Sequence, residues 1–339
     1  SIIDLLREAA IDPYVEGIKI TCYRLAKESK IVGALINALR NGKKVTVILE
    51  LKARFDEEAN LKWKKLLEEE GVKVLVGLPD RKIHAKLCLI SKRVGKVIKN
   101  YGFVSTGNLN ETTAKIYGDH CLLTADKRIT SDINHVFKLI EFPSQIHLFK
   151  KCKSLLISPY NTRNFFVEKI HNELKLHKAN KQASCIIKLN SLTDLKLIEA
   201  ISSAANAAMD LKLIIRGICT LLTNNTKWPK PIHAISIVDQ YLEHARVFYF
   251  KNGGKEDYYI SSADWMMRNL DYRIEATTPI YDMDIKEELK HILEIQLAEN
   301  EKARILDNEQ VNQYVPRGPR EKHTRSQVEI YKYLKNKTY

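Results

Sequence analysis

The chain has 339 residues, 45% hydrophobic, 8% aromatic and 28% charged, a composition that excludes a disordered or fibrous protein. At this length two domains, each burying its own core, are expected. The formal net charge of +14 calls for an anionic partner: nucleic acid, a membrane surface or a polyphosphate.

The opening "SIIDLLREAAIDPYVEG" lacks Met and is already helical in period, so the chain reads as a fragment of a longer protein, with no signal peptide visible. Next, "GIKITCY" reads as a strand, "SKIVGALINALRNG" as an amphipathic helix closing at Gly42, and "KKVTVILEL" as a long buried strand. The stretch "FDEEANLKWKKLLEEEG" has acids in its first turn and lysines after them, as a solvated helix does. Glu57 and Glu58 are therefore given no catalytic role, and Trp63 is read as a packing residue. "PDRKIHAKLCLIS" then sets His84 and Lys86 two apart, on one face of a buried strand.

In the second half, "CIIKLNSL", "DLKLIEAISSAANAAM" and "DLKLIIRGI" repeat the strand-helix-strand order, and "YLEHARVFYF" brings His244 and Arg246. "KNGGKEDYY" reads as a hairpin turn at Gly253 and Gly254, Trp265 as packing, and the final "YVPRGPREKHTRSQVEIYKYLKNK" as a basic helical appendage. No apolar run approaches the roughly 18 residues of a membrane helix, so no transmembrane segment is expected. The six cysteines, at 22, 88, 121, 152, 185 and 219, stand singly. Without a CxxC pair zinc is not expected, and a reducing cytoplasm is the natural compartment.

The halves look like copies. Arg54 stands 30 residues before His84, and Arg216 stands 28 before His244. "STGNLNETTAKIYGD" lies over "SSADWMMRNLDYRIE" without a gap, so that Asn108 meets Asp264 and Asp119 meets Glu275. We expect an α/β protein of two domains, 1–154 and 155–339, related by an internal pseudo-twofold repeat, each with a mixed, largely parallel sheet. Packed about such an axis, His84 and His244 would meet with Lys86, Arg246, Arg54 and Arg216 around them, a pocket suited to phosphate. One imidazole would attack phosphorus while the other gives or takes a proton, and the cations would neutralise charge on the transferring group. Asp119 and Glu275 are the candidates to orient the imidazoles, with simple ion pairing as their alternative. Symmetry leaves open which histidine attacks and which acid serves which histidine.

"HAK" followed by "STGN" is similar to the H-x-K-x4-D…G-[GS]-x-N signature of the phospholipase D superfamily. The segments "NGKKVTVILELKARFDEEAN", "KIHAKL", "TGNLNETTAKIYGD", "LLTADKRIT", "AISIVDQYLEH", "SSADWMMRNLDYRIE" and "YVPRG" resemble the two C-terminal catalytic domains of the histidine-phosphorylated bacterial polyphosphate kinases. Two departures from the wider superfamily stand out: Ser91 where the phosphodiesterases carry Asp, and Arg246 where they carry Lys. The resemblance implies a phospholipase D-like fold and reversible transfer of the ATP terminal phosphate to polyphosphate. It implies His84 as the phosphohistidine and His244 as acid and base. Tyr117, Arg216 and His244 would contact ATP. From the residues themselves, and not from the resemblance, Lys86, Arg246, Asp119, Glu275 and Asn108 are read as supporting. Arg24 and Arg54 match family magnesium positions, so Mg2+ is the expected cofactor. A guanidinium has no lone pair for a metal, and both are read as phosphate clamps beside an ion held by phosphate oxygens. Further implied are ATP/ADP and polyphosphate as partners, N-terminal domains beyond this chain, and a homo-oligomer at full length. No specific nucleic acid is expected, and the location is the cytoplasm, extending to the periphery of the membrane. The rival readings are a phospholipase D-type phosphodiesterase or nuclease, and a non-catalytic polyanion-binding fragment. Ser91 argues against the first; the second lacks the interleaved aromatic and basic residues of single-strand binders.

Overall fold

The structure, a computed structural model, describes residues 1–51, 57–78 and 80–337. The chain forms two compact units. The first holds Ser1–Lys115, Asp119–Tyr160 and Asp271–Thr278; the second holds Ile116–Gly118, Asn161–Leu270 and Pro279–Tyr339. Each unit thus takes a short segment from the other half of the sequence.

In the first unit, α1 (Ile2–Ile11) starts from a capping box between Ser1 and Asp4. Strand β1 (Val15–Cys22), helix α2 (Lys30–Arg40) and strand β2 (Lys44–Leu49) form the expected β-α-β unit, with β1 and β2 parallel from Gly17↔Lys44 to Cys22↔Leu49. Ser29 caps α2, and Gly42, at φ +77°, turns the chain into β2. Helix α3 (Glu57–Glu69) is the solvated helix, laced by Lys62–Glu58 and Lys64–Glu68 pairs at 2.8 Å, and leads to β3 (Lys73–Val76), parallel to β2. Strand β4 (Lys82–Ile83) is followed by a hairpin of β5 (Lys86–Val94) and β6 (Val97–Ser105). Tyr117–Gly118 (β7) goes with the second unit; β8 (Cys121–Thr124) closes the sheet, in the order β3-β2-β1-β5-β6-β8.

Alternation along β5 serves two cores. Cys88 and Ile90 join Leu6, Ile20, Leu35 and Phe103 under α1 and α2. Leu87 and Leu89 join Val104, Ile133 and Phe137 under α4 (Lys127–Glu141). After β9 (Leu156–Ser158), the second unit repeats the plan. It is built from α5 (Thr162–Lys178), β10 (Ser184–Leu189), α6 (Leu195–Asn206), β11 (Asp210–Ile215), β12 (His233–Ile237) and β13 (Leu242–Glu243). A hairpin of β14 (Arg246–Phe250) and β15 (Asp257–Ser261) follows, then α7 (Met267–Leu270), β16 (Arg273–Ile280, mostly in the first unit), α8 (Met283–Leu297), β17 (Ala303–Ile305) and α9 (Ser326–Asn336). Its sheet runs β17-β12-β11-β10-β14-β15. Trp265, fully buried, stacks on Phe248 with ring centres 5.0 Å apart, as a packing residue should.

Three expectations need correction. The sheets are mixed but not largely parallel: among the described residues β1-β2-β3 and β10-β11-β12 pair in parallel, as do the two-residue ladders β4–β16 and β7–β13, whereas the hairpins β5–β6 and β14–β15 after each histidine, and the ladders joining them to β1 and β10, are antiparallel. The C-terminal appendage is helical only over Ser326–Asn336; the preceding stretch, broken by Pro316 and Pro319, runs without regular structure apart from a bridge between Tyr314 and Arg304. Finally, His84 and His244 do not lie within strands but in two-residue breaks, between β4 and β5 and between β13 and β14.

Candidate active site

Each break occurs where the chain changes strand partners. In the first unit, Lys82 and Ile83 pair in parallel with Arg273 and Ile274, and the N–H groups of His84 and Ala85 both donate to Ile274 O, at 2.9 and 2.8 Å. In the second, Leu242 and Glu243 pair with Tyr117 and Gly118, and the N–H groups of His244 and Ala245 both donate to Gly118 O, at 3.0 Å each. Lys86 then pairs with Ser105, and Arg246 with Ser261. The gapless overlay of the two halves is thus reproduced in hydrogen-bond register.

Around His84 the second-half acid is the partner. Its Nδ1 lies 2.8 Å from Glu275 Oε2, and Glu275 is fully buried. Burial pushes the imidazole down to about 3; Glu275 opposes the fall and Lys86 adds to it. For Glu275, burial works against the charge, but the hydrogen bond from His84 Nδ1–H and the charges of Lys86 and Arg273 outweigh it and hold the carboxyl below its ordinary value. A carboxylate only accepts, so the proton of the neutral ring sits on Nδ1 and the lone pair on Nε2. Lys86, 1% exposed, donates from Nζ to His84 O at 2.5 Å. Thr21 Oγ1 donates to Ala85 O at 2.6 Å and accepts from Leu87 N at 2.9 Å, fixing the backbone on the far side of the break.

Two residues that sequence reasoning missed complete this environment. Tyr23 meets the His84 ring edge-on, centres 4.7 Å apart, with Lys86 Nζ 5.4 Å from its ring centre and Arg24 Cζ at 5.8 Å. Glu50 is buried at the end of β2 and accepts the Ile83 N–H at 3.0 Å, anchoring β4 just before the histidine. A charge ending the apolar run "KKVTVIL" was the signal for Glu50; Tyr23 had none beyond its place beside Arg24. Arg54 lies outside the described residues. Asp119 accepts from Thr106 Oγ1 at 2.6 Å, and a Cβ on Gly107 would fall 2.1 Å from Asp119 Oδ2, so any larger residue here would displace the carboxylate. Asn108 Oδ1 is buried without a hydrogen-bond partner among the described residues. Ser91 is spent on a cross-strand bond, Oγ to Asn100 Oδ1 at 2.8 Å.

The second unit differs in its charges. Arg246 donates from Nη1 to His244 O at 2.8 Å and lies 3.2 Å from His244 Nε2, which can only accept from it. Asp264 takes the other side of the guanidinium, Nη2 to Oδ2 at 3.0 Å, and also accepts the Asn190 N–H at 2.9 Å. Burial would raise Asp264, but Arg246 and the backbone donors prevail and bring it to about 2. Arg216 donates from Nε to Asn190 Oδ1 at 3.1 Å and to Glu243 O at 2.9 Å. The Tyr117 ring sits 5.1 Å from that of His244. Tyr117, Arg216 and His244 are therefore brought together within one unit, as are His84, Lys86 and Glu275 in the other. Asn190 and Glu243 were not foreseen; both are polar residues closing or preceding apolar strands.

For a metal, Arg24 offers no donor lone pair, so it does not fit direct ligation. Among the described residues Asp132, His135 and Cys152 bring donor atoms within 4.8 Å of one another. Asp132 Oδ2 is already engaged by the N–H groups of Lys153, Ser154 and Leu155, at 2.6 to 2.9 Å, which accounts for its burial.

Comparison with known proteins follows the same division. The family model described as polyphosphate kinase C-terminal domain 1 matches residues 1–146, and that of C-terminal domain 2 matches 155–327. The chain is similar to the polyphosphate kinase of Escherichia coli (strain K12), 45% identical over 335 residues, covering 99% of this chain and 48% of that protein. It thus spans about half the length of the curated relatives it matches. The crystal structure of polyphosphate kinase from Porphyromonas gingivalis superposes with a TM-score of 0.89 at 39% identity, covering 98% of this chain and 50% of that one. Phosphatidylserine synthase of Haemophilus influenzae, 10% identical, gives a TM-score of 0.57 over 98% of this chain and 89% of that one, a likeness of fold alone.

Proposed function

Since this chain belongs to the polyphosphate kinase family, matching its C-terminal domains 1 and 2, we propose that it carries the catalytic machinery of an ATP:polyphosphate phosphotransferase. The observation that carries this reading is the buried His84–Glu275 pair, with a neutral imidazole whose Nε2 holds the lone pair. In the proposed reaction Nε2 of His84 forms a bond to the γ-phosphorus of ATP. The bond from that phosphorus to the bridging oxygen breaks, and ADP leaves with the electron pair. A terminal oxygen of polyphosphate then attacks the same phosphorus, and the P–N bond returns its pair to Nε2. Glu275 keeps the Nδ1 proton in place through both steps and offsets the imidazolium charge of the phosphorylated ring.

His84 is favoured over His244 as nucleophile by the difference in their surroundings. His244 Nε2 faces a guanidinium donor, a setting for a proton-handling group once Arg246 turns to phosphate. Tyr117 and Arg216 are assigned to the nucleotide, and Lys86, Arg246, Arg24 and Arg54 to phosphate oxygens. Asp119 and Asn108 are assigned supporting places, and the working domains are 1–154 and 155–339. Magnesium is proposed as the cofactor, held by phosphate oxygens because the family's positions are arginines here, and no step above runs through it. ATP/ADP and polyphosphate are the proposed substrates, with further N-terminal domains and self-association completing the enzyme in the cytoplasm or at the membrane periphery. No helix among the described residues is long and apolar enough to cross a membrane. The test is polyphosphate synthesis from ATP by the full-length protein, and ATP formation from ADP and polyphosphate. Synthesis in neither direction, or phosphodiester cleavage without ATP, would overturn the reading.

A further inference from the structure

Residues Asp239 to Glu243 lead directly into His244, yet of these five only Leu242 and Glu243 lie in a strand. A two-residue ladder with Tyr117–Gly118 is too short to fix its own register. Side chains from the start of α9 do so. Arg325 donates from Nε and Nη2 to the two oxygens of Asp239, at 2.9 and 2.6 Å, and the Asp239 side chain is only 3% exposed. Gln327 uses its amide as a strand would use a peptide: Oε1 accepts the Tyr241 N–H at 2.9 Å and Nε2 donates to Tyr241 O at 2.8 Å. The same Nε2 lies 2.9 Å from Glu243 Oε1. The other Glu243 oxygen accepts from Lys188 Nζ at 2.7 Å and Gln296 Nε2 at 2.8 Å, so this carboxylate ties β10, α8 and α9 together. Between the two side chains, the Ser326 N–H donates to Glu299 and the Ser326 residue is fully buried.

The consequence reaches the site through the backbone. Glu243 O accepts from Arg216 Nε, and the next N–H, that of His244, donates to Gly118 O. We infer that Arg325 and Gln327 are positioning residues: docked against Asp239–Glu243, they hold His244 and Arg216 in the geometry that meets the nucleotide. The inference rests on the roles proposed above for those two groups. A bidentate pair to a buried carboxylate and a doubly bonded amide are directional contacts, so their loss releases register as well as stability.

The test uses the full-length protein with Arg325→Ala, Gln327→Ala and the double substitution, with Arg325→Lys as the conservative variant. Hydrogen exchange of the Leu242 to Ala245 amides reads the brace itself, and the KM for ATP against kcat reads its effect on the site. The expected result is exchange faster by roughly tenfold or more at those amides. The KM for ATP should rise about tenfold, well beyond any fall in kcat, with partial recovery in Arg325→Lys. Unchanged exchange would overturn the brace. So would a fall in thermal stability with kcat lowered only in proportion to the folded fraction and KM unmoved. Arg216→Ala serves as the control: if it too leaves the KM for ATP unmoved, the nucleotide reading has failed; if it raises KM while the α9 substitutions do not, the positioning inference alone has failed.

Discussion

Replacing Glu275 by Gln keeps the volume of a fully buried side chain and removes its charge. The carboxylate faces the His84 Nδ1–H at 2.8 Å, with Arg273 Nη1 4.0 Å from its other oxygen and the buried Lys86 charge nearby. At an effective dielectric of about 20, a unit pair at that separation interacts by about 4 kcal/mol. Breaking a buried pair by removing one partner typically costs about 3–5 kcal/mol, and that is the loss expected in denaturant unfolding. The effect on chemistry is separate. A glutamine amide can donate to Nδ1, which moves the ring proton to Nε2 and removes the lone pair that attacks phosphorus. Initial rates of label transfer from γ-labelled ATP to the full-length protein should fall by roughly 10²–10⁴-fold. Labelling that stays near the unsubstituted rate, whatever happens to stability, would refute the assignment of Glu275 as the orienting acid.

The depressed His84 predicts a pH signature. With the folded value near 3 against an ordinary 6.5, the ring stays neutral through the physiological range, so NMR of the imidazole should show no titration near 6.5. The linked stability is fully present above the unfolded value and is lost as pH falls through about 3, so His84→Gln should flatten the acid limb of the unfolding curve. Asp264→Asn strands the buried Arg246 and should destabilise by about 3–5 kcal/mol. Asp264, at about 2 instead of 3.8, contributes stability present above its unfolded value and lost as pH falls toward 2, a dependence the Asn variant should lack. Gly107→Ala, whose Cβ would meet the Asp119 carboxylate, should cost about 1–3 kcal/mol in thermal unfolding, and a neutral result would refute a tightly held carboxylate at this position.

Much of the fold was legible because its local signals agree. Ser29 and Gly42 bracket α2, apolar strands flank it, and the same order recurs at β10-α6-β11. The gapless match of residues 105–119 with 261–275 agrees with the shared register of Lys86↔Ser105 and Arg246↔Ser261, a pairing that the match itself did not specify. The exchange that puts Asp271–Thr278 in the first unit was not legible, because the two-residue ladder holding Arg273 and Ile274 to β4 is too short for any periodicity to mark. The pairing of His84 with Glu275 therefore could not be chosen over Asp119 beforehand. Nor could the difference between Lys86, which donates to the His84 carbonyl, and Arg246, which also reaches its histidine ring: it comes from guanidinium geometry, not from spacing.

The most direct test of the central claim is incubation of the full-length protein with γ-labelled ATP and magnesium, alongside His84→Ala and His244→Ala, with the label then exposed to acid and to alkali. Transfer through His84 gives an acid-labile, alkali-stable phosphoenzyme that is absent in His84→Ala and still forms, more slowly, in His244→Ala. Label retained in His84→Ala, or lost only in His244→Ala, would contradict it.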